Sequence, residues 1–237
     1  MWRFLLSALL IGLPAAAISG PWPQEKGALF FAYSSSISAN SATRYETGHS
    51  IYAEYGLTPR LTVGLDGYLG PAGKASEAYI FMRIPIGKTN KPGRLALTFA
   101  LGQKNIPNPW GPEVKQTQAK LGLSWGRGLK NGWLAVDAFA IIAVNKEIPA
   151  FAPAFTGHFN SHFKADFTWG MKPTDRLMLI WQLQTGIPAD GENYVKLSPS
   201  VVWSIGKANN TKVEIGLVKG LTGDDTESLK IGLWKSF

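Results

Sequence analysis

The segment SLKIGLWKSF, Ser228 to Phe237, sets Leu229, Ile231 and Leu233 at every second position and ends on an aromatic ring. Successive side chains of a β-strand point to opposite faces, so this stretch makes a strand with one greasy and one polar face. A disordered tail has no reason to keep such a period, and the question is which fold needs it at its end.

The same alternation recurs along the chain. LALTFALG puts Leu95, Leu97, Phe99 and Leu101 on one face; RLMLIWQLQTG sets Leu177, Leu179, Trp181 and Leu183 against Gln182 and Gln184; TKVEIGLVKG sets Val213, Ile215 and Leu217 against Lys212 and Glu214. The pattern predicts twelve strands, over 27–37, 48–57, 61–69, 77–87, 94–104, 115–126, 132–144, 159–171, 176–186, 193–206, 211–221 and 228–237. Five connections are tight (TPR, KTNKPG, RGLKN, KPTD, KANN) and alternate with longer ones such as SANSATRYETG and NKEIPAFAPAFTGH. Short alternating with long is the rhythm of an up-and-down barrel, compact turns on one rim and loops on the other.

Composition narrows the setting. Of 237 residues, 45% are apolar and only 17% charged, which is not the balance of an ordinary soluble enzyme. The chain has no cysteine, which excludes disulfides, thiolate metal sites and a thiol nucleophile. Met1 to Gly20 carries one positive residue (Arg3), an apolar run from Phe4 to Leu13, a break at Pro14 and then small residues. That is the layout of a secretory signal peptide, and the run is too short for a membrane anchor of roughly 20 residues. The expected division is a signal peptide over 1–19, cleaved between 17 and 20, followed by a barrel over 20–237.

Alternation alone fits two barrels. A soluble one turns its apolar face inward, whereas a transmembrane one turns it to lipid and tolerates a polar lumen. The signal peptide, the even strand count, and strands near the about 9–11 residues that cross a bilayer favour the second. An independent check comes from the aromatics. If the mature chain starts in the periplasm, even-numbered strands end there, and their last outward residues include Tyr55, Trp125, Trp169, Trp203 and Phe237, a periplasmic girdle.

The ending then becomes specific. Lys230, Gly232 and the terminal Phe237 resemble the C-terminal assembly signal of Gram-negative outer-membrane barrels, with Lys235 standing where an apolar residue is usual. The resemblance implies an all-β, single antiparallel up-and-down transmembrane barrel in the outer membrane, with outer-membrane lipids and the barrel assembly machinery as partners. The opening PWPQEKG is also similar to small XagA-like barrels, which implies a link to surface polysaccharide.

The inward phase selects Glu54, Asp66, Glu77, Arg83, Lys104, Lys120, Asp137, Lys164, Asp166, Gln182, Lys196, Lys212, Glu214 and Lys230 as lumen-lining, together with Gln116, Gln118, Gln184, Tyr68 and His162. Seven of these are basic and six acidic, a near-balance that predicts a cross-linked network rather than a strongly selective pore. The net charge of +8 resides mostly on the short-turn rim, at Arg60, Lys88, Lys91, Arg94, Arg127, Lys130, Lys172, Arg176, Lys207 and Lys235. Such a rim suits anionic lipid headgroups, and no nucleic acid is expected as a partner.

Catalysis needs a nucleophile beside a base. The histidines are His49, His158 and His162, and Ser161 adjoins His162, but neighbours in a strand point to opposite faces. No metal, phosphate-loop or dinucleotide motif is present, so neither a metal nor another cofactor is expected. The sequence predicts a non-enzymatic, narrow channel for small polar solutes, gated by its charges and by the Pro-rich loops 105–114 and 145–158. The alternatives are a non-conducting structural or accessory barrel linked to polysaccharide export or adhesion, and a lipid-modifying enzyme.

Overall fold

The computed structural model describes residues 20–39, 45–71, 76–87, 91–106, 112–144, 162–187, 193–223 and 227–237. They form twelve strands: β1 Leu29–Ala39, β2 Tyr45–Thr58, β3 Leu61–Leu69, β4 Ser76–Ile86, β5 Gly93–Ile106, β6 Val114–Leu129, β7 Gly132–Ala143, β8 His162–Thr174, β9 Leu177–Ile187, β10 Tyr194–Ile205, β11 Thr211–Thr222 and β12 Glu227–Ser236. Each pairs antiparallel with its sequence neighbours, and β1 pairs with β12, so the sheet closes into an up-and-down barrel. Closure leaves no strand edge, which a backbone crossing hydrocarbon requires.

The strands form where alternation is strict, because lipid on one side demands an apolar residue at every second position. On β12, Leu229, Ile231 and Leu233 are exposed, whereas Trp234, in the opposite phase, is buried. Every strand exposes large apolar side chains, among them Tyr33, Ile51, Leu65, Ile80, Phe99, Leu123, Leu134, Phe167, Trp181, Val201, Leu217 and Ile231. An exterior this apolar on all sides belongs in a bilayer; in water it would be an aggregation surface. Among the described residues no helix is long and apolar enough to cross a membrane.

Two rims result. The tight connections, the start of β1 and the end of β12 share one of them, here the terminal rim; the long connections share the other, the loop rim. In the β10–β11 turn, Gly206 (φ 76°) and Asn209 (φ 52°) take left-handed backbone, a conformation that glycine and asparagine adopt at little cost. Pairing shifts register at Gly56/Thr58 and at Met171/Thr174, both beside the terminal rim.

The lumen as candidate functional site

Strand register fixes what faces the interior. Glu54, Asp66, Glu77, Arg83, Lys104, Lys120, Asp137, Lys164, Asp166, Gln182, Lys196, Lys212, Glu214 and Lys230 all lie in the same alternating phase as the buried Thr62, Thr98 and Ser124. They divide into a polar half toward the loop rim and a packed half toward the terminal rim.

In the polar half, Lys120 sits at the centre. Its Nζ lies 3.7 Å from Asp66 Oδ2 and 3.9 Å from Glu77 Oε1, and 3.3 Å from the centre of the Tyr79 ring. The Tyr79 hydroxyl donates to Gln118, whose Nε2 donates to Gln116 Oε1 at 2.5 Å. Across the barrel, Lys230 Nζ is 2.5 Å from Glu214 Oε1, and the Trp234 indole N–H donates to Glu214 Oε2 at 3.1 Å. Asp137 and Asp166 are direct cross-strand partners; Ser124 donates to Asp137 Oδ1 at 2.5 Å.

Deeper in, Glu54 and Arg83 form an ion pair that is almost wholly buried. Removing two charges from water is costly unless further hydrogen bonds complete the pair. Here the Tyr52 hydroxyl donates to Glu54, Gln24 Nε2 donates to Glu54 Oε2 at 2.7 Å, and Arg83 Nη2 donates to the Tyr52 hydroxyl at 3.2 Å.

The terminal half is filled. Inner-wall side chains of a water-filled pore would stay accessible, yet Trp133 and Trp234 are 2% exposed and Val202 0%. With Phe30, Ala32, Ala135 and Met178 they form one apolar layer drawn from β1, β7, β9, β10 and β12, joined by Trp22, Tyr52 and Ile180. Phe30 meets Tyr52 and Trp234 edge to face, with ring centres 6.4 and 6.2 Å apart. Below this layer, residues 20–28 lie across the terminal mouth: Pro21 is fully buried and the Gln24 backbone N–H donates to Thr62 Oγ1 at 2.9 Å.

This apolar layer and the segment beneath it are absent from the sequence reading. A partial signal existed: Trp133 and Ala135 share the phase of Asp137, and Trp234 that of Lys230 and Gly232. The closure found among the described residues is at the terminal end, whereas the Pro-rich loops expected to gate the lumen fall largely on 107–111 and 145–161, outside the described residues.

Outside the barrel, Tyr55, Trp125, Trp169 and Trp203 are exposed on the lipid face toward the terminal rim, and Phe237 is 70% exposed at its end. Gly232 faces inward between Glu214 and Tyr33, and Phe237 stays hydrogen-bonded to the barrel through its backbone. Two basic residues differ from the headgroup-facing rim expected of them. Lys172 reaches inward, with Nζ 5.6 Å from the Trp133 ring centre, because it continues the inward phase of Asp166, Thr168 and Gly170 on β8. Lys235 Nζ donates to Thr211 Oγ1 at 2.9 Å and Asn210 Oδ1 at 3.2 Å, tying β12 to the β10–β11 turn. His162 faces the lumen, and His49 lies on the lipid face, where Tyr33 stacks on it and the Tyr33 hydroxyl is 2.8 Å from its Nδ1. The signal-peptide span, Lys88, His158 and Ser161 lie outside the described residues.

A closed twelve-strand barrel, lipid-facing outside and charged within, defines the class: a transmembrane β-barrel of the outer-membrane type. Solved structures share the fold. The KdgM porin superposes with a TM-score of 0.63 at 7% identity, over 88% of this chain and 99% of that one. The NanC porin gives 0.60 at 7% identity over 87% and 98%, and the COG4313 outer membrane channel from Pseudomonas putida F1 gives 0.59 at 11% identity over 94% and 100%. No protein-family profile matches the chain, and no curated protein is similar to it.

Proposed function

We propose that this protein is a narrow outer-membrane channel for passive passage of small polar solutes. The observation that carries this reading is the interior: charged and amide side chains line the loop-side half of a closed barrel whose outside is apolar. Lys120 and Lys230 are both paired to carboxylates, so a passing solute meets cross-linked walls rather than a field of one sign. The barrels named above, described as porins and a channel, support the reading at the level of fold. One of them, the KdgM porin, has a solved structure in complex with disordered oligogalacturonate, which supports an oligosaccharide as one solute class to assay here. Arg60, Arg127, Lys130, Arg176 and Lys207 on the terminal rim would face anionic headgroups, and Lys230, Gly232 and Phe237 would serve the assembly machinery.

A second reading draws on the filled terminal half: a non-conducting accessory barrel associated with surface polysaccharide. Planar-bilayer recording separates the two. Discrete small conductance steps from folded, inserted protein support the channel, and persistent silence supports the accessory barrel. A lipid-modifying role has less support, since among the described residues His49 and His162 stand on opposite faces of the wall and neither is hydrogen-bonded to a serine.

A further inference from the structure

The segment Gly20–Ala28, GPWPQEKGA, adds no strand to the barrel, yet Gly20, Pro21 and Gln24 are buried against it. Its far end packs on β6 and β7: a Cβ on Gly126 would meet the Pro21 ring at 2.8 Å and run into Trp22, and one on Gly20 would lie 3.9 Å from Ala135 Cβ. Its middle is held by β2 and β3, through Gln24 N–H to Thr62 Oγ1 and Gln24 Nε2 to Glu54. Its near end zips onto β2, with Gly27 N–H donating to the Gly56 carbonyl at 2.8 Å and Gly56 N–H to Ala28 at 3.0 Å. The segment leads directly into β1, and β7 stands six strands away in the ring of twelve, so it crosses the mouth from wall to wall.

Its chemistry suits a seat that can be left. Pro21 and Pro23 have no N–H, so an inserted Pro-Trp-Pro leaves fewer donors to satisfy inside the barrel, and its stiff backbone loses little freedom on docking. Residues 20–26 are held by the two Gln24 bonds and by the packing of Pro21 and Trp22, whereas each strand has a ladder on both sides. When they depart, the Glu54 carboxylate keeps Arg83 and Tyr52, so no buried charge is abandoned. The apolar layer of Phe30, Trp133 and Trp234 loses its backing against Trp22.

We propose that residues 20–26 are a tethered stopper, seated in a peptide-binding cradle formed by Gly56, Thr62, Gly126 and Ala135, and that the barrel conducts when the stopper leaves. This rests on the channel reading. Cleavage between 17 and 20, as expected from the sequence, would make the stopper a free chain end.

The chain has no native cysteine, so the full-length Gln24→Cys/Thr62→Cys variant is a clean lock. In planar bilayers the oxidised protein should conduct poorly and gain several-fold on addition of dithiothreitol. A second variant lacking residues 20–24 should conduct without reductant and be blocked by the peptide GPWPQEK added from the terminal side; heat-shifted migration on gels checks that both fold. Equal conductance of oxidised and reduced protein overturns the stopper and leaves the channel standing. Silence of the wild type, the reduced lock and the shortened chain alike overturns both.

Discussion

Phe237, the last residue, donates its backbone N–H to the carbonyl of Leu29, the first residue of β1, at 2.9 Å, and Leu29 returns a longer bond of 3.4 Å. The terminal residue therefore does two separable things: its backbone completes the β1–β12 seam, and its ring is presented to lipid. Deleting Phe237 should sharply lower the yield of inserted barrel, while Phe237→Ala, which keeps the seam bonds, isolates the ring. If the ring is the assembly signal, both variants lose insertion in a reconstituted assembly assay. If the seam matters more, only the deletion does.

Lys235 gives a second test at the same strand end. Read from sequence it departs from the assembly signal, and Lys235→Tyr is expected to be neutral or helpful to insertion. The structure adds its bonds to Asn210 and Thr211, each of the about 0.5–1.5 kcal/mol kind. Lys235→Tyr should therefore insert at least as well as wild type while unfolding at a lower temperature, read from the heat-modified gel shift. Thr211→Val should lower that temperature without touching insertion.

The seam and the outer face were legible in the sequence because lipid enforces them: every second residue must be apolar, and β3 was expected and found over 61–69. The β8 end was not, since the strand runs on to Thr174 through a register shift after Met171, and Lys172, in the inward phase of Asp166 and Gly170, comes to lie over Trp133. The inner face is less constrained. An inward position is polar where water reaches it and aromatic where the lumen is packed, and the packing there includes Trp22, more than 100 residues away in sequence from Trp133. The alternation of a strand carries no record of a distant segment folding back, so the ion pairs could be anticipated as a set but the stopper could not.

The buried Glu54–Arg83 pair allows a cycle of substitutions. Arg83→Met leaves a carboxylate in a packed layer, facing only Tyr52 and Gln24, and should cost about 3–5 kcal/mol. Glu54→Gln keeps an acceptor for Tyr52 and strands Arg83 instead. The double variant Arg83→Met/Glu54→Gln should recover most of the loss. Urea unfolding in detergent or bilayer, followed by tryptophan fluorescence, measures all four corners; a double variant as unstable as the sum of the singles would show that the pair is not coupled.

Lys120 tests whether the polar half of the lumen sets selectivity. It is the cation shared by Asp66 and Glu77 and lies against the Tyr79 ring, so its replacement by a neutral residue removes one positive charge from between two carboxylates. Lys120→Gln should leave two carboxylates without their common partner and move the zero-current potential in a salt gradient toward cation preference. Lys120→Arg should keep the charge and the preference of the wild type. Lys235→Gln, on the outer face at the opposite rim, serves as the control with unchanged selectivity. If Lys120→Gln and Lys235→Gln gave the same zero-current potential, ions would not be passing the wall that Lys120 organises, and the pathway would have to run elsewhere in the barrel.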